Sequence, residues 1–558
     1  MRKDIQYILV LLALGGLLFG FKLGAYGLLD PDEPFYSLTA KEMLARHDPW
    51  TPFLFGQPQF EKPIGFYWVL YASYKLFGVT EFASRIGPCV AGILTVIITY
   101  LWGRVIFKRR EIAWLSAVVL ASSAEFIALS RVVLTDMWLC LFVTAALYCF
   151  SLGYENAGRR KTAWTLVFLF CALGFLTKGP LGVLLPFFGM ASFLLANNET
   201  RLWKEMPWAA GLAIFLAVGC PWYAGMTARY GTGFLKHFFI HENLRRFFFA
   251  EHKSFDRLYF YPMAILMGFF PWSAFVPGAI VTAVRRIQRN DPAGRRTPLF
   301  LLLAFAVPFL FFVLAKSKLL SYLFPVFPVL SLIVGHWLYL AYRAVRLHGR
   351  PRMGGLALCV LFFGIFPPVL LASLAAYGRF NGIEFDREVL TIGSFFAVFF
   401  WAALFFIWKG KYKPALSFIL AAVLSGAGLV FGRLLPKAEA AFSSRTAVGW
   451  YQKYAGARDD GFLLASKLFV RGVAFYADDR NVGVLAEDPR SVFYTNHPIR
   501  ILSALSDFER LDPKEFPIYC FLRQKEVKFL RRIAGDRFTL TMIGQDAQRA
   551  MVRLDRAY

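Results

Sequence analysis

Charge is scarce in this chain. Only 18% of its 558 residues are Asp, Glu, Lys or Arg, where soluble globular chains carry about 25%. With 58% hydrophobic residues and a mean hydropathy of +0.51, the sequence lacks the polar surface of a water-soluble protein of this length. The seven cysteines, at 89, 140, 149, 171, 220, 359 and 520, show neither metal-ligand spacing nor a paired framework. They lie mostly inside apolar runs and read as small core residues. The basic start and first apolar run, MRKDIQYILVLLALGGLLFGF, are not followed by a small-residue cleavage site, so a retained first helix is expected. An internal repeat of convincing period and a low-complexity tract are also missing.

What the chain has is apolar blocks of about 20 residues, the length that crosses a bilayer core. They fall at 6–27, 83–107, 112–129, 137–154, 162–177, 179–196, 208–226, 261–284, 299–315, 322–342, 356–377, 389–408 and 414–434, thirteen candidate spans. The pair 162–177 and 179–196 reads as a hairpin or as one long helix. The net charge of +26 comes from short Lys/Arg clusters between these blocks rather than from one continuous patch, which excludes a nucleic-acid footprint. Threaded alternately, seven clusters share one side: Arg2-Lys3, Lys108 to Arg110, Arg159 to Lys161, Arg201 with Lys204, Arg285 to Arg296, Arg343 to Arg352 and Lys409 to Lys413. That side is the cytoplasm by the positive-inside rule. The expected fold class is a polytopic α-helical membrane protein, with residues 1–434 in the membrane unit and an outward first loop at 28–82. Beyond 435 the apolar runs shorten (FLLAS, GVAFYA, VGVLA, FPIYCFL), as in a small soluble α/β domain spanning 435–558.

The outward loops hold the unusual residues. Asp30-Pro31-Asp32-Glu33-Pro34 places three carboxylates in five residues directly after the first span. Such a stretch is either a capped, solvated turn or a site for a general base, with Asp32 and Glu33 as candidates. Farther along the loop come Glu61-Lys62 and an aromatic stretch, Ile64 to Phe77, expected to lie along the interface with Tyr67, Trp68, Tyr71 and Tyr74 as anchors. Arg131, Asp136, Lys178, His241, Arg245, Arg246, Lys318 and Tyr322 sit at outer helix ends. Each basic residue alone could be snorkelling. Together they make a rim of cations and carboxylates suited to a phosphate-bearing lipid, with Lys and Arg neutralising the phosphate. Glu61 and His241 could share a divalent cation such as zinc.

Read together and in this order, DPDEPFY, PQFEKPIGFYW, RVVLTDMW, FLTKGP, HFFIHENLRRF and KSKLLSYLFPVFP resemble the polyprenyl-phosphate-dependent glycosyltransferases typified by 4-amino-4-deoxy-L-arabinose lipid A transferase. They resemble the protein O-mannosyltransferases more distantly. The resemblance covers roughly residues 1–340. It implies the multi-helix fold called GT-C, a bacterial inner-membrane location with the active site facing the periplasm, a donor sugar on undecaprenyl phosphate, a lipid acceptor such as lipid A, no nucleotide cofactor, and a monomer. It makes Asp32 the catalytic carboxylate, with Asp136 in the pocket. Lys62, Lys178, Arg245, Arg246, Lys318 and Tyr322 would serve the substrate or carrier phosphate, and Glu61 with His241 the metal. One departure stands out: Phe35 occupies a position where that family usually has Arg. The rival readings are a transferase of another sugar or of a protein acceptor and, from a different class, a lipid or solute transporter; against the latter, the charges gather at outer helix ends and no pair of broken helices repeats across two halves.

Overall fold

The computed structural model describes residues 2–245, 248–249, 257–289, 292–348, 386–455, 461–477, 481–488, 499–546 and 549–557, with 365, 368–369, 372–373 and 375–376 between. Arg246, Cys359 and most of the expected span at 356–377 lie outside the described residues.

Helix α1 (Arg2–Gly15), continued by a wide turn over Gly16–Gly20, leads into the acidic loop and α2 (Asp32–Ala45). A two-stranded hairpin, β1 (Phe53–Leu54) with β2 (Gln57–Pro58), precedes α3 (Gly65–Phe77). Then follow α4 (Glu81–Phe107), α5 (Arg110–Ala121), α6 (Ala124–Leu129), α7 (Asp136–Glu155), α8 (Arg160–Lys178), α9 (Leu181–Ala196), α10 (Trp208–Gly219) and α11 (Pro221–Tyr230). Among the described residues eight helices are long and apolar enough to cross a membrane, or ten if each of two bent pairs makes one span. Block 162–196 is a hairpin. Gly179 turns it at φ +65°, and α8 meets α9 backbone to backbone: a Cβ on Gly182 would stand 2.2 Å from the carbonyl carbon of Gly174, so only hydrogen fits. Block 261–284 is not one straight span. Helix Phe260–Gly268 meets the next helical stretch at 117°, where Pro271 cannot donate the backbone N–H that would continue the helix.

The aromatic stretch corrects an expectation. It is helical, but Tyr67, Tyr71 and Tyr74, at i, i+4 and i+7, share a buried face. They pack into the protein with Tyr36, Phe66 and Leu70 instead of anchoring at a lipid interface. Trp68, at 36% exposure, faces away, its Nε1 donating to the Pro49 carbonyl at 2.8 Å.

The C-terminal residues build a six-stranded sheet from β3 (Leu463–Ser466), β4 (Val482–Leu485), β5 (Ile501–Leu502), β6 (Ile518–Arg523), β7 (Phe538–Gln545) and β8 (Arg549–Arg556), in the order β5-β4-β3-β6-β8-β7. The first four strands in that order run parallel and the last two pairings are antiparallel. Strand alternation sorts the side chains to two faces. Leu464, Cys520 and Leu554 enter one core with Leu530 of helix Gln524–Ala534. Leu463, Ala465, Tyr519 and Phe521 enter another, shared with Leu28, Phe35, Tyr36 and Tyr67. One continuous apolar core therefore docks the sheet on the acidic loop.

Candidate active site

The loop that carries the carboxylates is held from beneath by a buried ion pair. Arg85, near the start of α4, donates from Nε to Glu33 Oε1 at 2.9 Å and from Nη2 to Oε2 at 2.6 Å. Its remaining donors go to the carbonyls of Leu23, Tyr26 and Gly27. Glu33 also accepts from the backbone N–H groups of Leu29 and Val133. This corrects the reading of Glu33 as catalytic: it is fully buried, both oxygens are engaged, and it does not line the cavity described below. Asp30 is tied elsewhere. Its Oδ2 accepts from Ser444 at 2.6 Å and lies 3.7 Å from Arg549 of the sheet domain. Burial raises its carboxyl to about 7, against the pull of Arg549. Of the three acids, only Asp32 opens into space.

That space is a cavity of about 1690 Å³. Asp32, Glu61, Lys62, Asp136, Lys178, Lys318 and Tyr322 all line it, so seven sequence-singled residues from five stretches of chain converge. Lys178, in the last turn of α8, donates to Asp136 Oδ1 at 2.7 Å and stands 5.2 Å from the Tyr322 ring centre. Lys318, 3% exposed, donates to the Ala315 carbonyl at 2.8 Å. Much of the remaining lining is apolar, with Leu181 and Leu184 of α9, Ala264 and Met267, and Phe311 and Phe312. Burial raises the Asp32 carboxyl above the ordinary carboxylate range; the charge of Arg471 pulls it down, Asp136 pushes it up, Lys62 pulls down and Glu33 pushes up. A carboxylate so placed can accept a proton, and the cations beside it can neutralise an anion.

Other expected residues stand apart. Arg245 is exposed and does not line the cavity, because the helical stretch Lys236–Arg245 turns Phe238, Phe239 and Ile240 to it instead. His241 is likewise exposed and outside the lining, its ring beside that of His237 at 5.7 Å. Catalytic zinc sites use three protein ligands. Among the described residues no group of three or more His, Cys, Asp and Glu side chains is placed to hold a metal ion; Glu61 lines the cavity and His241 does not. Arg131 is not a cavity cation either: it donates to the carbonyls of Leu18, Phe19 and Phe21, closing the carbonyl end of the first span. Three titratable lining residues escaped the sequence reading: Tyr36, Glu125 and Arg471. Tyr36 sits in the quoted motif DPDEPFY. Glu125 had a local signal, a carboxylate within an apolar block, whereas Arg471 had none.

Comparison with known proteins bears on this arrangement. Residues 5–230 match the family model described as dolichyl-phosphate-mannose-protein mannosyltransferase. The undecaprenyl phosphate-alpha-4-amino-4-deoxy-L-arabinose arabinosyl transferase of Pectobacterium carotovorum subsp. carotovorum is 32% identical over 342 residues, 60% of each chain. The protein of that name from Pseudomonas aeruginosa is 32% identical over 371 residues, 65% of each. The match thus spans about three fifths of the curated relatives' length. The crystal structure of ArnT from Cupriavidus metallidurans bound to undecaprenyl phosphate superposes with a TM-score of 0.76 over 98% of both chains, at 20% identity. The fold is that of ArnT. The chain resembles the aminoarabinose transferases in sequence, as its motifs indicated, and is a multi-span membrane protein of the GT-C fold. A more distant likeness extends to the archaeal oligosaccharyltransferase AglB from Archaeoglobus fulgidus, with a TM-score of 0.53 over 97% of this chain and 72% of that one at 12% identity.

Proposed function

We propose that this protein is an inner-membrane glycosyltransferase that moves a sugar, 4-amino-4-deoxy-L-arabinose, from undecaprenyl phosphate to a lipid acceptor such as lipid A, acting as a monomer on the periplasmic side. The observation that carries the reading is a chamber whose lining joins Asp32 and three lysines to many apolar side chains. An isoprenoid phosphate has both characters, an anionic head and a hydrocarbon tail. In the reaction an acceptor oxygen forms a bond to the anomeric carbon as the bond from that carbon to the phosphate oxygen breaks. Negative charge gathers on the departing polyprenyl phosphate, where Lys62, Lys178 and Lys318 lower its energy. Asp32 orients the acceptor and, where the acceptor is a hydroxyl, takes its proton. Holding both lipids in one chamber supplies much of the remaining rate through geometry. The configuration at the anomeric carbon inverts.

The test is transfer of radiolabelled sugar from synthetic undecaprenyl-phosphate donors by purified protein to separated lipid and protein fractions, with Asp32→Asn as control. A labelled lipid formed only by the unmutated protein is the expected result. Label in protein would reassign the acceptor, and donor movement between liposome compartments without a new glycosidic bond would overturn the enzyme reading.

A further inference from the structure

One cation on the cavity wall comes from the far end of the chain. Helix Val470–Tyr476 follows β3 in the sheet domain, yet its second residue, Arg471, lines the cavity with Asp32 and Phe35. Its guanidinium carbon stands 4.8 Å from the centre of the Phe35 ring, a contact by which an aromatic face holds an arginine in place. The helix is also fixed against the acidic loop. A Cβ on Gly472 would come within 2.3 Å of Asp30 Oδ1, so the helix backbone lies directly against that carboxylate. Lys41 donates to the Phe475 carbonyl at 2.9 Å. Tyr476 Oη accepts from the backbone N–H of Leu28 at 2.7 Å and donates to Glu81 at 3.1 Å.

Other cations line the same cavity. Lys178 is paired with Asp136, and Lys318 donates to a backbone carbonyl. Arg471 and Lys62 line the cavity with Asp32, and the charge of each draws on its carboxyl, so both act on an anion seated beside it together with the other lysines. A guanidinium matches a phosphate through two parallel hydrogen bonds, which an ammonium cannot do.

We propose that Arg471 is a phosphate-binding residue of the cavity, carried there by the C-terminal domain, so that the chamber is incomplete without the tail. The inference rests on the transferase reading above and deepens it. The phosphate has two possible sources, the polyprenyl carrier and a phosphate on the acceptor lipid.

The experiment uses the full chain with Arg471→Met and Arg471→Lys. It reads the Kd for undecaprenyl phosphate in detergent, the KM for donor and for acceptor separately, and the unfolding temperature. Methionine is expected to weaken one substrate by about ten- to hundred-fold, and lysine by less, since it keeps the charge and loses the fork. A rise in both the undecaprenyl phosphate Kd and the donor KM assigns the carrier phosphate; a rise in the acceptor KM alone assigns the acceptor's. A folded methionine variant with all three constants at their unmutated values overturns the inference. Where the methionine variant does not fold, the lysine variant decides by the same criterion. Unmutated protein that neither binds undecaprenyl phosphate nor transfers sugar overturns the transferase reading and this inference with it; unmutated binding and transfer that the variants leave unchanged overturn the inference alone.

Discussion

Glu33 grips Arg85 with both carboxylate oxygens, at 2.9 and 2.6 Å, in a pair that is 0–1% exposed. Its neighbour Asp32 opens into the cavity. Two adjacent acids on the first turn of α2 thus do opposite work, one anchoring the loop and the other facing the cavity.

Removing one partner of such a pair leaves a buried charge uncompensated, a loss of about 3–5 kcal/mol. Arg85→Met and Glu33→Gln are therefore expected to lower the unfolding temperature and the yield of folded protein, while Asp32→Asn leaves both near their original values. Equal unfolding temperatures for all three variants would show that the pair does not hold the loop.

Asp32 must be ionised to accept a proton, so kcat/KM is expected to rise with pH through its titration, with the acid limb above the ordinary carboxylate range because burial raises the group. Asp32→Asn is expected to lower turnover by about a hundred- to ten-thousand-fold. The groups acting on Asp32 are Arg471, Asp136, Lys62 and Glu33. Replacing Lys62 by Met removes a charge that favours the ionised form, so the acid limb moves to higher pH. A limb that stays put in Lys62→Met would mean another group sets it.

Lys178 and Asp136 form a pair at 2.7 Å on the cavity wall, with side chains 13% and 6% exposed. Lys178→Met is expected to destabilise by about 1.5–3 kcal/mol and to raise the donor KM. The double variant Lys178→Met with Asp136→Asn should recover part of the stability and none of the donor affinity. Strict additivity of the two stability losses would argue against coupling.

Asp30 joins loop to sheet domain, and its pH dependence has a definite sign. Its carboxyl, raised from 3.8 to about 7 by burial, is protonated in the folded state where the unfolded chain has already ionised. Its contribution to stability is whole below about pH 4 and is lost as pH climbs to about 7, beyond which it is constant. The unfolding temperature of the unmutated protein is expected to fall relative to Asp30→Asn across that window. Parallel pH profiles for the two proteins would refute the assignment.

The membrane fold was legible because it is written locally. A run of about 20 apolar residues must satisfy its backbone hydrogen bonds within itself in lipid, so it becomes a helix whatever surrounds it. The ends of those helices carry the polar residues that the bilayer excludes, which is why Asp32, Lys62, Asp136, Lys178, Lys318 and Tyr322 could be picked out in advance and do share one chamber. The α/β character of the C-terminal residues was legible for the same reason, through apolar runs too short to cross a membrane.

Which face each residue presents was not. Nothing local distinguishes Asp32 from Glu33; the buried guanidinium of Arg85 on another helix decides it. Tyr67, Tyr71 and Tyr74 look like interfacial anchors until α3 packs them into the core shared with the sheet. Arg471 lies in an ordinary stretch of a soluble domain, and only the docking of that domain on the acidic loop brings it over Phe35. By itself the sequence determined that the chain crosses the membrane many times and keeps its charges near the helix ends and loops, since burial of polar groups in lipid is prohibitive. The tertiary structure alone decided which of those charges bind one another and which face the chamber, because that choice depends on partners distant in the chain.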